Sequence, residues 1–172
     1  DEIKNDAAAS VSKMKALGIA TVMLTGDEKN SAQAVVKETG IDEVYAQLLP
    51  QEKLEHLKNV RKNHGAVMFV GDGINDAPVL ARADVGIAMG GLGSDAAIEA
   101  ADVVLMTDEP SKIATVIKIA RKTLRIAHEN IVFALAVKFL VLFLGAIGYA
   151  SMWAAVFADV GVSVIAILNA IR

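Results

Sequence analysis

The chain has 172 residues, 22% of them charged, a formal net charge of −3 and no cysteine. Its length suits one ordinary domain with a further segment. The lack of cysteine excludes disulfides and thiolate ligands or nucleophiles within these residues, and the slight acidity gives no support for binding to nucleic acid. The chain begins at Asp1 without an initiating Met or a signal-like segment, so we expect a piece of a longer or processed protein.

Up to Arg125, short apolar stretches alternate with segments of helical spacing. The pattern predicts helices over 7–17, 28–39, 75–82 and 94–101 and from Pro50 onward, and strands over 19–24, 43–48, 66–70, 84–89 and 102–106. Continuously apolar strands that alternate with helices are typical of a parallel sheet covered on both faces. We therefore predict an α/β domain over residues 1–125.

The composition changes sharply after Arg125. The full charges in residues 126–172 are those of Glu129, Lys138, Asp159 and Arg172. Residues 131–149 and 152–171 are almost uninterrupted apolar segments, each close to the roughly 17–25 residues with which a helix crosses a bilayer. We predict that residues 126–172 form a tight two-helix transmembrane hairpin. The alternative, a buried soluble hairpin, is disfavoured because so small a domain could hardly bury both segments.

Basic residues flank this hairpin and predict its orientation. Those that precede it are Lys112, Lys118, Arg121, Lys122 and Arg125, and Arg172 follows it. By the positive-inside rule both ends of the hairpin face the cytoplasm. We therefore expect a multi-pass protein of the cell membrane with residues 1–125 in the cytoplasm and the lipid bilayer as a partner.

Two polar stretches follow predicted strands. "TGD" at Thr25–Asp27 follows the first strand, and "GDGINDAP" at Gly71–Pro78 follows the third. Ligands of doubly wound sheets bind outside the carboxyl ends of the strands. A hydroxyl with free backbone N–H groups suits a phosphate, and two carboxylates on one turn suit Mg²⁺. Lys53, near the start of the third helix, could reach the same phosphate.

These signals differ in specificity. "TGD" by itself is more often an ordinary turn, and Lys53 by itself is more often a surface lysine. A plain entry to a helix needs neither the two aspartates nor the two glycines of "GDGINDAP", so the combination favours a site for Mg²⁺ and phosphate. The glycines at 90, 91 and 93 follow another strand. We interpret them as a turn, because a lone glycine cluster is weak support for a dinucleotide loop.

The stretches "MLTGD", "VGDGINDAPVLARADVGIAMG" and "SDAAIEAADVVLM", with Lys53 three residues after Pro50, resemble the phosphorylation domain of P-type ATPases. These proteins belong to the haloacid-dehalogenase-like superfamily, and the resemblance extends over essentially the whole chain. It implies that Thr25 and Gly26 hold the phosphoryl group, that Lys53 neutralises it and that Asp72 binds Mg²⁺. The catalytic residues implied in this way are Thr25, Gly26, Asp27, Lys53, Asn75 and Asp76, with Asp72 and Asp76 as the ligands of Mg²⁺.

The family's nucleophile is an aspartate in an Asp-Lys-Thr-Gly-Thr stretch, which this sequence does not contain. The family's nucleotide-binding domain, actuator domain and earlier membrane helices, with their Cys-Pro-Cys motif, do not occur in it either. We expect these parts to precede Asp1. The chain is then the C-terminal part of an ATP-driven transporter that acts through an aspartyl phosphate. It is catalytically incomplete alone, and the missing N-terminal part is its partner.

Lys138 and Asp159 lie within the two apolar segments, where charge is costly, so we expect them to face the protein interior and to pair. A lysine in the first helix and "ADVGVS" in the second resemble the zinc-, cadmium- and lead-exporting branch of the family. There the aspartate binds the transported ion and the lysine serves as its counter-ion. The copper branch would show a Tyr-Asn pair and a Met-x-x-Ser-Ser stretch, which do not occur here. A purely structural ion pair is the alternative.

The resemblance thus implies a heavy-metal exporter of Zn²⁺ or Cd²⁺, with Pb²⁺ as a further candidate. Two alternatives stay open. The first is a non-enzymatic, membrane-anchored protein that binds phosphate and Mg²⁺ or has a regulatory role. The second is a soluble phosphatase, which the apolar hairpin and the missing nucleophile disfavour.

Overall fold

The computed structural model describes residues 3–71, 74–90, 95–149 and 151–172, with residues 74 and 154 described for their backbone alone. The chain divides into two compact units, the first ending at Ala114 and the second beginning at Thr115. Composition places the boundary at residue 125, eleven residues later and inside a long helix. The composition boundary marks where charged residues become rare, whereas the boundary between the units marks where the packing changes.

The first unit alternates helices and strands, as the sequence pattern predicts. Its elements are α1 (Ala7–Ala16), β1 (Val22–Leu24), α2 (Lys29–Thr39), β2 (Glu43–Tyr45), α3 (Pro50–His64), β3 (Met68–Gly71), a 3₁₀ turn (Ile74–Asp76), α4 (Ala77–Leu80), β4 (Val85–Met89), α5 (Asp95–Ala100) and β5 (Val103–Leu105). The strand predicted over 43–48 ends early because Gln47 has a φ of 60°, a left-handed conformation that an extended strand does not contain.

The strands pair in parallel, but in two sheets and not in the single sheet that the pattern predicts. β1 pairs with β2, with Val22 opposite Glu43, and the second sheet has the order β3-β4-β5, with Met68 opposite Val85 and Ile87 opposite Val103. Within the described part of the chain, β1 and β3 each have one edge without a strand partner. Both strands are only half-buried although they are apolar, whereas Gly86–Met89 of the central β4 are buried.

Three aspartates secure the amino ends of these strands. The backbone N–H groups of Thr21, Val67 and Gly86 each donate to an aspartate Oδ2, of Asp42 (2.9 Å), Asp84 (2.9 Å) and Asp102 (2.8 Å) respectively. Each aspartate immediately precedes one strand and bonds to the beginning of the neighbouring strand in the same sheet. The arrangement satisfies donors at the strand starts that the ladder leaves without a partner.

The core of the first unit surrounds β4. Leu80, Ala88 and Ala97 are buried together, and Phe69 and Val104 from the flanking strands pack against them. A Cβ atom on Gly86 would lie 2.7 Å from the backbone oxygen of Leu80, so only glycine allows β4 to pass this close to the end of α4. The "ADVGIAM" stretch therefore brings α4, and the turn that precedes it, against the sheet.

The second unit is a helical hairpin. α6 runs from Ser111 to Ala146 and α7 from Met152 to Ala170. Gly148, at a φ of 80°, ends the first helix, and the Tyr149 N–H donates to the Leu144 oxygen at 2.9 Å, a C-terminal capping bond that reverses the chain. The turn lies where the sequence predicts it, but α6 begins well before the predicted apolar segment.

The described residues include one helix, α6, that is long and apolar enough to cross a membrane by length and composition, and the apolar part of α7, Ala155–Ala170, is shorter. At 1.5 Å per residue α6 is about 54 Å long, more than the roughly 30 Å of a bilayer's hydrocarbon core. Large apolar side chains of both helices are exposed, among them Phe139, Phe143, Phe157 and Leu168, with Tyr149 and Trp153 near the turn.

Candidate functional site

The turn after β1 is closed by its own side chains. The Thr25 N–H donates to the Tyr45 oxygen at 3.0 Å and so extends the pairing of β1 with β2. The Thr25 hydroxyl donates to Oδ2 of Asp27 at 2.7 Å, and the Asp27 N–H donates back to the Thr25 Oγ1 at 3.1 Å. Thr25 and Asp27 are thus brought together, and the exposed Gly26 lies between them at the carboxyl end of the strand.

The second predicted stretch brings Asp76 against the end of β3. A Cβ atom on Gly71, the last residue of the strand, would lie 2.9 Å from both Cβ and Oδ2 of Asp76, closer than side-chain atoms approach. Glycine at this position is therefore required for the carboxylate to lie there. Asn75 precedes it in the same 3₁₀ turn and is exposed. Asp72, the other predicted ligand of Mg²⁺, lies outside the described residues.

Lys53 and Asp76 form an ion pair. The Lys53 ammonium lies 2.8 Å from Oδ1 of Asp76, and the two side chains are 19% and 14% exposed. Lys53 belongs to the first turn of α3, so the pair joins that helix to the 3₁₀ turn after β3. The sequence places both residues in one site, and the structure brings them into direct contact. That contact could not be derived from spacing along the chain.

The described part of the site fits a hard cation. Within the described ranges no three His, Asp or Glu side chains cluster as a ready-made metal cage. Mg²⁺ does not need such a cage, because it takes one or two carboxylates and completes its shell with phosphate oxygens and water. Asp76 supplies a carboxylate of this kind, held in place by Gly71 and beside the positive charge of Lys53.

The predicted pair of Lys138 with Asp159 forms. The Lys138 ammonium lies 2.9 Å from Oδ1 of Asp159 and joins α6 to α7. The side chains are 57% and 66% exposed within this chain, so the expectation that they face an interior is not met by the hairpin itself. Two helices alone are too thin to enclose such a pair, and its burial would depend on what surrounds the hairpin.

A group of polar contacts joins α6 to α7 at the open end of the hairpin, and it was not predicted. We call this group, formed by Asn130 with Asn169 and by Glu129 and Lys122 with Arg172, the clasp. The Asn169 side-chain amide donates to Oδ1 of Asn130 at 2.9 Å, and the Asn130 amide donates to the Ala166 oxygen at 3.1 Å. Arg172 lies 3.4 Å from Glu129, and Lys122 donates to the Arg172 backbone oxygen at 3.1 Å. Two asparagines at the same ends of neighbouring apolar segments were the available signal for these contacts.

Comparison with known proteins finds family models, relatives and solved structures that match the chain. Two family models, each described as haloacid dehalogenase-like hydrolase, match residues 1–84 and 52–117. The whole chain is 60% identical to a cadmium, zinc and cobalt-transporting ATPase of Bacillus subtilis and 58% identical to a zinc-transporting ATPase of Synechocystis. It covers 25% and 24% of those proteins, so it spans about a quarter of their length.

A solved structure, of a zinc-transporting PIB-type ATPase in its E2.Pi state, superposes on the whole chain with a TM-score of 0.94 at 39% identity, and the chain covers 28% of it. The strand-end site and these matches define the first unit as a haloacid dehalogenase-like domain. Because the similarity continues through the helical hairpin to the last residue, the chain belongs to the P-type ATPase family, and the relatives that it matches are named as transporters of zinc, cadmium or cobalt.

Proposed function

We propose that the chain is the part of an ATP-driven exporter of divalent heavy-metal ions that holds the phosphoryl group and contributes a charged pair to the ion path. The observation that carries the proposal is the 2.9 Å ion pair of Lys138 with Asp159 between the apolar segments of α6 and α7. The relatives named above, which transport cadmium, zinc or cobalt, support a divalent cargo. Zn²⁺ and Cd²⁺ are the proposed ions, with Pb²⁺ as a further candidate.

At the strand-end site, the chain's own residues would bind and orient a phosphoryl group. In the turn of Thr25, Gly26 and Asp27, the Gly26 N–H would donate to the phosphoryl oxygens, and the Thr25 hydroxyl would turn to them from Asp27. Lys53 would turn its ammonium from Asp76 toward the negative charge that develops in transfer. When bound, Mg²⁺ would neutralise phosphate charge, with Asp76 and Asp72 to hold it and Asn75 beside them.

The nucleophilic aspartate would come from a part of the protein outside these 172 residues. The unpartnered edges of β1 and β3 support this proposal, because both strands end at site residues and both are apolar but only half-buried. A parallel strand inserted between them would join the two sheets. An aspartate at its carboxyl end would then lie between the Thr25 turn and the Lys53–Asp76 pair, ready for in-line transfer from ATP.

In the membrane, Asp159 would bind the cargo and Lys138 would be its counter-ion. A carboxylate oxygen suits a divalent ion better than soft Cu⁺, which prefers thiolate and thioether ligands. When the ion binds, the ammonium would be displaced from Asp159, and on release it would return. The exposed apolar side chains of α6 and α7 would contact lipid and the remaining membrane helices.

The proposed orientation puts both ends of the hairpin and the first unit in the cytoplasm of a multi-pass membrane protein. Single cysteines at Arg125 and Arg172 should then react with impermeant reagents only after the membrane is opened. A cysteine at Tyr149, by the turn, should react from outside. External labelling at position 172 would contradict the orientation.

The transport activity itself is tested with the full-length protein in proteoliposomes. We expect ATP hydrolysis and ion uptake to be stimulated by Zn²⁺ and Cd²⁺, and Pb²⁺ is tested beside them. Cu⁺ held in a thiol buffer should not stimulate either. Stimulation by Cu⁺ alone would overturn the proposed cargo, whereas ATP hydrolysis that responds to none of these ions would overturn the proposed class of transporter.

A further inference from the structure

The first turn of α3 carries Lys53 and begins in an unusual way. Its N-cap residue is Leu49, whose side chain has no oxygen with which to accept a hydrogen bond. Instead, the Leu49 N–H donates to Oε2 of Glu52 at 2.7 Å, and Pro50 occupies the first helical position. Glu52, the third helical residue, thus supplies the half of a capping box that accepts from the N-cap N–H, and Leu49 cannot supply the other half, which a serine or aspartate cap would provide.

The residues before this turn are bonded to the Thr25 turn of the phosphate site. The Leu48 N–H donates to the Thr25 oxygen at 3.0 Å, and the Gln47 N–H donates to the Asp27 oxygen at 2.9 Å. Gln47 holds its left-handed φ of 60° in this segment. The N–H groups of three successive residues, Gln47, Leu48 and Leu49, therefore all have acceptors, and the acceptor of the Leu49 N–H is Glu52.

We infer that Glu52 is a positioning residue for the phosphate site. The inference rests on the proposed function, in which Lys53 neutralises the phosphoryl group. Glu52 fixes the beginning of α3 against the segment that is bonded to Thr25. Lys53, the next residue, thereby projects from a fixed backbone toward Asp76, where the structure places its ammonium.

The physical reason is that a helix frays from its first turn when its free N–H groups lack partners. Lys53 lies within that turn, and its backbone N–H donates to the Leu49 oxygen at 3.1 Å, the first bond of the helix. Without the Glu52 contact, the backbone that carries Lys53 would sample several positions. A flexible lysine then loses orientation as well as proximity to the oxyanion.

The experiment measures binding of orthovanadate, with Mg²⁺ present, to the full-length protein by calorimetry, so that it does not depend on turnover. We expect Glu52→Ala to weaken binding about fivefold, the size of a lost helix cap. Glu52→Gln keeps an oxygen acceptor, and we expect it to stay within about twofold of the parent, since glutamine also serves in this kind of cap. Glu55→Ala, an exposed acid three residues further on, is the matched control and should have no effect.

A double variant separates positioning from general stability. We expect Lys53→Met to weaken binding more than about tenfold, because it removes a charged donor to the oxyanion. If Glu52 acts through Lys53, adding Glu52→Ala to Lys53→Met should cause no further loss. Amide exchange, measured alongside, should show lost protection in the first turn of α3 alone.

Each remaining outcome overturns a stated claim. Losses that add in the double variant, or Glu52→Gln as weak as Glu52→Ala, would overturn the inference about Glu52. If Glu52→Ala binds orthovanadate with parental affinity while Lys53→Met binds it weakly, the inference about Glu52 is also overturned. The proposed phosphate site would then remain intact. Parental affinity in Lys53→Met would instead overturn the role of Lys53 in the proposed function.

Discussion

The candidate sites of the two units each contain a lysine–aspartate pair, and the two pairs are nearly equal in length but differ in burial. Lys53 and Asp76 are 2.8 Å apart and 19% and 14% exposed, whereas Lys138 and Asp159 are 2.9 Å apart and 57% and 66% exposed. The first pair is enclosed by its own unit, where α3 and the turn after β3 meet. The second lies on the surface of two helices.

The difference shows which pair can be understood from this chain alone. An ion pair that water reaches contributes at most about 1 kcal/mol, whereas one enclosed in a low-dielectric site is strongly coupled to its surroundings. The contact of Lys53 with Asp76 is made entirely by elements of the first unit. The strength of the Lys138–Asp159 pair depends on lipid and on membrane helices from outside these residues.

The largest effect is expected at the enclosed pair. In the full-length protein, Asp76→Asn should lower ATP turnover by about 10²-fold or more, because it removes charge from the cation site and leaves the Lys53 ammonium without its anion. Mg²⁺-dependent hydrolysis is the measurement. Asp84→Asn is the matched control, since that aspartate lies at the opposite ends of the strands, and it should retain most of the turnover. Near-parental turnover in Asp76→Asn would remove it from the site.

The next largest effect is expected at the exposed pair of Lys138 and Asp159, and it tests whether Asp159 binds the transported ion. Asp159→Ala removes the proposed oxygen ligand, and metal-stimulated hydrolysis should fall at least about tenfold, the lower limit for loss of even an outer partner of a metal. Lys138→Ala keeps the ligand, so Zn²⁺ should still bind while its release is slowed. Bound Zn²⁺ and stimulated hydrolysis are measured for both variants.

The double variant of Lys138 and Asp159 decides between cargo binding and scaffold. If Asp159 is a ligand, the double variant should recover expression and folding, because no charge is left alone, but it should not recover transport. If the pair only holds α6 to α7, both should recover together. Asn130→Ala is a useful control, since it breaks a contact between the same two helices at the clasp and should reduce hairpin stability without changing ion selectivity.

What the sequence predicts well is the placement of short polar motifs at the ends of strands. Thr25, Asp27 and Asp76 could be assigned to strand ends because apolar stretches of the right length precede them. The pairing of Lys53 with Asp76 could not be derived, since it depends on where α3 lies against the turn after β3. The division into two sheets was also missed, because strand pattern alone does not say which edges meet.

Two aspartates show that the sequence does not say directly which contacts a residue makes. Asp76 and Asp84 are eight residues apart, yet one belongs to the site and the other bonds to the start of β3. The distinction is which end of a strand each adjoins. The "ADV" stretches at Ala83–Val85 and Ala101–Val103 each begin an apolar strand, unlike the one at Ala158–Val160 in α7. An aspartate directly before a strand is placed to accept a neighbouring strand's N–H, so that position was a usable signal.

A smaller effect, on stability alone, is expected where an aspartate accepts from an N–H group at the start of a neighbouring strand. Asp102→Ala leaves the buried Gly86 N–H without its acceptor and should lower the free energy of local unfolding by about 1–2 kcal/mol. Asp102→Asn keeps an oxygen and should lose less. Amide exchange of β4 in the full-length protein measures both, with the exposed Glu99→Ala as a control that should be neutral. Unchanged protection in Asp102→Ala would show that water replaces the carboxylate there.

The smallest effect is a pH dependence confined to the start of β1. The Lys15 ammonium, 2.7 Å from Asp42, and then the Thr21 N–H and hydroxyl lower the pKa of Asp42 from 3.8 to about 2. Because the folded pKa is below the unfolded one, the carboxylate's contribution to stability is complete above about pH 4 and is lost as pH falls toward 2. Exchange of the Thr21 amide should therefore accelerate only in that window.

Lys15→Met should shift the acceleration to higher pH, toward 3.8, because it removes the largest cause of the lowered pKa. Asp42→Asn should abolish the dependence, and a parental midpoint near 3.8 would contradict the assigned contacts.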